Sequence, residues 1–458
     1  MAKKTKAANL SIEEKLEQAL IVPGYEPYKI PDNWCWTQWK MCGEFVAGSA
    51  FKEKYQGIPD LEIPFYKVGS LKYADNNGLL YDSDNTIDED IRGILKAKLI
   101  PSYSVLFAKI GEAIRLNRRA LNYKPCCIDN NLMAFIADNN CYFKYVLYWS
   151  MTVDFYTYTN ATTVPAIRKT DLESIPFPVA PLDEQHRIVE RIESLFQKFN
   201  EAKEKAQKVL DSFETRKAAI LHKAFTGELT AKWREENGVG IESWERKTLG
   251  EVCNSIFDGD HMPPPKSESG IPFLVISNVN DGYLSFENTR FVPQEYYDAI
   301  TDTRKPEKGD VLYTLVGSFG IPVVVDTNAP FCFQRHMALL KPKSINTYFL
   351  WYLLQSQEMY QKASSIAKGV AQLTVPIKGL RLMDFNCPSE EEQIEIVRIL
   401  DSLLEKEDTS KDNAESIIDQ IETMKKAILA RAFRGELGTN DPEEESAVEL
   451  LKQILTGE

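Results

Sequence analysis

The chain has 458 residues, 43% hydrophobic and 26% charged, with a net charge of −13; this is the balance of a soluble globular protein. Its length exceeds one ordinary core, which implies two to four domains. No apolar run approaches the roughly 20 residues that span a bilayer, and the opening MAKKTKAANL lacks the apolar stretch of a secretory leader, so a cytoplasmic protein with no membrane partner is expected.

Residues 1–30 read as a helical extension built on SIEEKLEQAL (Ser11 to Leu20), an amphipathic pattern that returns near the other end in EEESAVELLKQIL (Glu443 to Leu455). The two are expected to pack together. Residues 31–180 change texture: short β-branched and aromatic runs, IPFYKVGSL from Ile63 and YSVLFAKI from Tyr103, are punctuated by Gly, Asn and Pro, the marks of a strand-rich mixed domain.

From Pro181 to residue 240 the period changes again. Ile188, Ile192, Leu195, Phe199, Ala202, Ala206, Val209 and Phe213 step by four and three, with Ile220 and Ala224 continuing the stripe, which is the seam of a coiled coil. About 40 such residues make a rod of roughly 60 Å.

Residues 241–388 return to the mixed texture, with IPFLVISNV from Ile271 and DVLYTLV from Asp310. Residues 389–458 are again helical, with Ile396, Leu400, Leu403, Ala414, Ile417, Ile421, Met424 and Ile428 on one face. The polar stretch EKEDTSKDN (Glu405 to Asn413) predicts a frayed centre.

These blocks repeat. DEQHRIVERIESL from Asp183 matches EEQIEIVRILDSL from Glu391, and KAAILHKAFTGEL from Lys217 matches KKAILARAFRGEL from Lys425, all at one offset of 208 residues. The domains repeat more faintly. Ile63-Pro64-Phe65 matches Ile271-Pro272-Phe273, Ser104-Val105-Leu106 matches Asp310-Val311-Leu312, Trp34 matches Trp244, and Asn130 to Ala134 resembles Gln334 to Ala338. The fold expected is α+β and pseudo-two-fold symmetric: two strand-rich mixed domains separated by two long helices that pair as an antiparallel coiled coil. One scaffold is kept twice and given two surfaces.

Catalytic signatures are missing. There is no G-x-x-x-x-G-K-[ST] loop, no Gly-rich strand-to-helix turn for a dinucleotide or methyl donor, and no Asn-Pro-Pro-aromatic tetrapeptide. Eight cysteines lie scattered without a C-x-x-C pair and read as reduced, mostly buried thiols, with no metal site expected. DSDNTIDED (Asp82 to Asp90) lacks the Gly and the closing Glu of a calcium loop. The negative charge argues against nucleic acid as a partner. Its distribution weakens that argument, because about 8 basic and 19 acidic residues from Ser389 onward carry most of the excess.

Two mixed domains alternating with two long helices, each helix opening on an E-Q-x-x-I-V run and closing on A-F-x-G-E-L, resemble the specificity subunit of type I restriction–modification systems. The resemblance is carried by Glu184-Gln185 with Ile188-Val189, by Ala224-Phe225-Thr226-Gly227-Glu228-Leu229, and by their copies Glu392-Gln393 with Ile396-Val397 and Ala432-Phe433-Arg434-Gly435-Glu436-Leu437. It implies that 31–180 and 241–388 are target recognition domains, each reading one half of a split site on double-stranded DNA. It also implies that the helical regions 181–240 and 389–458 set the spacing and dock two methyltransferase subunits, with restriction/translocase subunits joining. Such a chain is non-catalytic by itself, and S-adenosylmethionine, ATP and Mg2+ are expected only on its partners. Lengthening the chain near Ala231 is expected to lengthen the unread spacer. Two other readings stand beside this one: a methyltransferase or nuclease with an unrecognised site, and a coiled-coil adaptor that binds no DNA.

Base reading needs Arg, Lys, Asn, Gln or Ser/Thr at loop tips. In the first domain the candidates are Lys109, Arg115, Arg118 and Arg119 around a predicted hairpin, then Tyr158, Asn160, Thr162, Thr163 and Arg168. In the second they are His261, Lys266, Asn278, Asn280, Arg304, Lys305, Arg335, His336, Lys368 and Gln372. For subunit docking, or for the helix framework itself, the candidates are Gln185, Ile188, Phe225, Gly227 and Leu229 with their copies Gln393, Ile396, Phe433, Gly435 and Leu437.

Overall fold

Each long helix is shared between two compact units. In the computed structural model, which describes residues 11–160, 164–259, 264–370 and 372–457, one unit takes residues up to Lys205 together with those from Ile417, and the other takes Ala206–Ser416. The helices Leu182–Phe225 and Glu390–Ala432 run unbroken through both divisions. No helix among the described residues is long and apolar enough to cross a membrane.

The first unit's strands are β1 (Cys35–Gln38), β2 (Gly43–Ala47), β3 (Ile63–Tyr66), β4 (Leu79–Leu80), β5 (Thr86–Ile87), β6 (Val105–Ala108), β7 (Arg119–Asn122), β8 (Cys127–Ile128), β9 (Leu132–Ala137) and β10 (Pro176–Val179). They form a five-stranded sheet ordered β2-β9-β6-β7-β4, a three-stranded sheet β5-β3-β8 and the pair β1-β10. Trp39, fully buried, sits at the centre of an aromatic core with Phe45, Phe107, Phe135, Trp149 and Phe155, all with ring centroids 4.7–5.9 Å away. Such edge-on and tilted pairs each add to the area buried.

The second unit carries β11 (Glu245–Thr248), β12 (Cys253–Asp258), β13 (Ile271–Leu274), β14 (Arg290–Val292), β15 (Val311–Thr314), β16 (Pro322–Val324), β17 (Cys332–Phe333), β18 (Met337–Pro342) and β19 (Asp384–Cys387). Its sheets, β12-β18-β15-β16, β14-β13-β17 and β11-β19, repeat the first unit's orders, less the edge strand β4. The central strand of each three-stranded sheet, β3 or β13, has one antiparallel and one parallel neighbour. The repeat read from the sequence is therefore a repeat of topology. One detail shifts by a residue. Leu106 faces Ala134 and Leu312 faces Leu339, so Ala338 is the counterpart of Met133 and not of Ala134.

The duplicated helix motifs are clasps. Glu184 and Glu392 are buried carboxylates that accept from the indoles of Trp34 (2.7 Å) and Trp244 (2.9 Å), the tryptophans that open the two domains. Gln185 accepts from the Tyr142 amide at 2.9 Å and donates to the Ala180 carbonyl at 2.9 Å; Gln393 does the same with Asn346 at 2.8 Å and Pro388 at 3.0 Å. Each glutamine thus ties a domain helix to the turn that starts its own long helix.

The other motif closes the far ends. Phe225 packs edge-on against Phe349, and Phe433 against Tyr145, so each long helix begins on one domain's core and ends on the other's. Gly227 and Gly435 follow with φ of +82° and +73°, the left-handed conformation that ends helices and that a side chain resists.

Within each unit the long helices pair antiparallel. Lys203 meets Glu422 and Asn200 meets Lys425 in the first; Arg216 meets Glu407 at 2.7 Å and Phe213 lies under Lys411 in the second. The stretch from Glu405 to Asn413 is helical throughout, contrary to the expected fraying. Its polar side chains bridge to the partner helix where a seam would otherwise need apolar ones. Ile417 and Met424, expected in the seam, are exposed, whereas Leu404 is buried in place of Leu403.

The terminal helices Ile12–Ala19 and Ala447–Thr456 pack together on the first unit's core through Ala19, Leu16, Ala447, Leu450 and Leu451, as expected. Ala231 lies outside the long helix. It starts a separate short helix, Ala231–Asn237, locked by the buried Arg234, whose guanidinium donates to Glu392 (2.6 Å) and to the Gly227 carbonyl (2.6 Å).

Candidate nucleic-acid interface

Both domains build one edge in the same way. In the first, the connection between β6 and β7 (109–118) lies against the returning residues 164–168: the Gly111 amide donates to the Pro165 carbonyl (2.7 Å), Ile167 to Lys109 (2.9 Å), and Asn160 to Ala166 (3.1 Å). In the second, the connection between β15 and β16 (315–321) meets residues 372–375 through Gly317 to Leu373 (3.0 Å) and Val375 to Leu315 (2.9 Å), and Lys368 donates to Thr374 (2.9 Å). Gly111 and Gly317 turn the two loops with φ of +84° and +72°. The turn before β9 or β18 completes each edge by accepting one amide from it: Lys109 donates to Asn131 (2.9 Å) and Leu315 to His336 (2.8 Å).

A third loop leaves from the same place in each domain. Gly48 and Gly259 follow β2 and β12 so closely against that turn that a Cβ would lie 1.9 Å from the Asp129 carbonyl oxygen and 2.2 Å from that of Phe333. Glycine is required there by proximity rather than by a left-handed backbone. Neither glycine pair is among the residues expected from the sequence, although Ile110-Gly111 and Val316-Gly317 are a readable repeat at an offset of 206.

The first edge gathers both of that domain's predicted clusters. Arg115 is exposed and braced: its Nε donates to Glu112 at 2.8 Å, its guanidinium lies 3.5 Å from the Tyr156 ring centroid, and its Nη2 donates to the Tyr156 hydroxyl. Arg118 and Arg168 are exposed, and Lys109 is half-buried. Asn160 is exposed and donates to Asp171. Tyr158 is half-buried, and its burial raises its pKa. Thr162 and Thr163 lie outside the described residues.

Arg119 is different. It is 5% exposed, sits 3.7 Å over the Phe155 ring and bonds Asn117 at 2.7 Å; burial lowers its pKa to about 9, with the negative charge of Asp154 opposing. It still holds its proton at neutral pH, as guanidinium groups do. Its side chain ties the loop to the 155–158 turn and is not presented to a ligand, which corrects its place among the contacting residues.

The second edge is built of other side chains. Lys368, Gln372 and Arg335 are exposed on it. His336 is half-buried, its ring 2.7 Å from the Gln334 amide, and burial beside Arg335 lowers its pKa. Lys266 is exposed in the loop that follows β12, and Asn280 is exposed after Asn278. His261 lies outside the described residues.

Three expected contacts are turned inward or paired. Asn278 is 5% exposed and closes its own loop, accepting from Val275 (3.0 Å) and donating to Glu287 (3.1 Å). Arg304 stands 3.8 Å from Asp258, and Lys305 is 3.3 Å from Asp302 with its ammonium 5.2 Å from the Tyr297 ring. The helix residues Gln185, Ile188, Phe225, Gln393, Ile396 and Phe433 are all under 9% exposed, Gly227 is buried with them, and Leu229, Gly435 and Leu437 are half-buried at the helix ends. These residues are packed within the chain's own framework.

All eight cysteines are buried free thiols, and among the described residues no group of three or more His, Cys, Asp or Glu is placed to hold a metal ion. Residues 42–211 and 241–422 each match the family described as the type I restriction modification DNA specificity domain. The chain belongs to this family.

Each match covers one target recognition domain, so this specificity subunit carries two. It is 28% identical over 319 residues to the type I restriction enzyme EcoBI specificity subunit of Escherichia coli, covering 65% of this chain and 67% of that one. To the EcoKI specificity subunit of Escherichia coli strain K12 it is 21% identical over 456 residues, 93% of this chain and 96% of the other. The fold is similar to the crystal structure of the HsdS subunit from Thermoanaerobacter tengcongensis, with a TM-score of 0.64 and 21% identity over 90% of this chain and 99% of that chain. A chain from a type I R-M system, solved for its complex assembly and conformational transition, gives a TM-score of 0.63 with 20% identity over 90% and 100%.

Proposed function

We propose that each of the two built edges reads one half of a bipartite site on double-stranded DNA. The long helices fix the distance between the halves, and the helical framework docks two methyltransferase subunits, which restriction/translocase subunits join. The observation that carries this reading is the pair of edges themselves. They share the same three backbone hydrogen bonds at loop and returning segment, yet present Arg115, Arg118 and Arg168 in one domain and Arg335, Lys368 and Gln372 in the other. A repeated frame with unlike side chains suits a reader that meets DNA twice in one orientation and recognises two different words.

The acidic excess of residues 389–458 is compatible with this. Glu392, Glu407, Glu422 and Glu444 are spent on Arg234, Arg216, Lys203 and Arg187 within the chain. The chain brings no donor or nucleotide of its own to the reaction; S-adenosylmethionine, ATP and Mg2+ belong to its partners.

The test is selection of the assembled complex on a random duplex pool. One bipartite sequence with a fixed spacer is expected to be enriched. Enrichment of no bipartite sequence, or methyl transfer from S-adenosylmethionine by the isolated chain, would overturn the reading.

A further inference from the structure

Among the exposed cations of the first edge, Arg115 alone is held on two sides. Glu112 takes its Nε and the Tyr156 hydroxyl takes one hydrogen of Nη2, with the Tyr156 ring beneath the guanidinium. Arg119 anchors the base of this arrangement: it bonds the loop at Asn117 and the Arg118 carbonyl, and stacks on Phe155, the neighbour of Tyr156. Among the described residues nothing else bonds the guanidinium, which leaves both hydrogens of Nη1 and one of Nη2 at its end. That end-on fork is the shape that meets O6 and N7 of guanine in the major groove.

Charge separates a base edge from a phosphate as the target. Glu112 is 72% exposed in its side chain and lies 2.8 Å from the arginine, so a phosphate brought to Arg115 would meet a carboxylate as well. A base pair tolerates that neighbour. Cytosine N4 donates in the groove beside guanine O6, and a carboxylate is the acceptor that suits it. Phosphates have Arg118, Arg168 and Lys109 at the same edge, none of which has an ion-pair partner among the described contacts.

We propose that Arg115, with Glu112 beside it, reads one G·C pair in the half-site met by the first domain. The inference rests on the DNA-reading function proposed above. The second domain's shorter loop, Leu315 to Ile321, holds no arginine, so the effect belongs to one half-site only. Tyr156 and Arg119 are positioning residues.

The experiment compares the full-length chain with R115A and R115K, each assembled with its methyltransferase subunits, on the same random duplex pool. Both variants should lose preference for one G·C pair by roughly tenfold or more, while the other half-site keeps its full selection and so reports that the complex is folded. R115K is expected to fail too, because an ammonium keeps the charge but loses the planar fork. Unchanged selection in both variants would sink the proposal. So would a loss of affinity for all duplexes alike in R115A, with a shallower salt dependence, that R115K restores, since that marks a phosphate contact. If the unsubstituted complex enriches no bipartite site, it is the underlying reading that fails.

Discussion

Glu184 and Glu392 hold the same place in the two halves and are satisfied by different means. Glu392 has a cation, Arg234, with only 10% of its side chain exposed. Glu184 has neutral donors, Trp34 and Asn440 (2.9 Å), with Arg187 nearby and itself paired to Glu444 at 2.6 Å. Burial outweighs these and raises the Glu184 pKa above its usual 4.5. A carboxyl with a raised folded pKa holds its proton more tightly folded than unfolded; that contribution is complete below the unfolded pKa and is lost as pH rises through the folded one. E184Q keeps the acceptor for Trp34 and does not titrate. Its melting temperature, relative to the unsubstituted chain, should therefore rise from about pH 4 to about pH 7; a flat or falling difference would show that the carboxylate is not strained by burial. None of this is visible in the letters E-Q, which mark a repeat without saying that its glutamate is buried.

Among elements, the ends of the long helices are the most constrained. A Cβ on Gly435 would lie 2.3 Å from Cγ of the Pro31 ring, whereas one on Gly227 would meet Cδ1 of Ile241, the tip of a flexible side chain, at 2.4 Å. Both substitutions to alanine carry the left-handed penalty of about 1–2 kcal/mol. G435A adds a clash with a rigid ring. It should destabilise the unit containing Pro31 more than G227A destabilises the other, as read by hydrogen exchange of each unit; equal effects would mean that the Pro31 segment yields freely. The A-F-x-G-E-L repeat made both helix ends legible. The one-residue shift between Ala134 and Ala338 was not, because β9 and β18 are buried on both faces over most of their length and show no alternation to fix a register. The unbroken polar centre of the second helix escaped prediction for a related reason: Glu407 and Lys411 find partners on another helix, which no local pattern records.

For the whole molecule, the helices are the elements on which half-site separation would depend. Since Lys203 meets Glu422 and Arg216 meets Glu407 in opposite chain directions, extension must be made in both helices to preserve the pairing. Seven residues inserted after Lys205 and seven after Asp419 add about 10.5 Å to each helix, or about three base pairs at 3.4 Å. Sites selected by such a complex should show the spacer lengthened by about that amount with both half-sites unchanged. Altered half-sites at constant spacing would refute the ruler.

The sequence by itself determined the duplication, the alternation of mixed domains with helices and the family, because repeats and apolar periods are local properties that survive without coordinates. It also picked out both clusters that meet on the first domain's edge. Only the tertiary structure decided that they meet, that Arg115 is braced for presentation while Arg119 is buried beneath it, and that Asn278 closes its own loop. Those outcomes depend on contacts between segments some 40 or more residues apart, or on which side of a loop faces the core, and composition at a position carries no record of either.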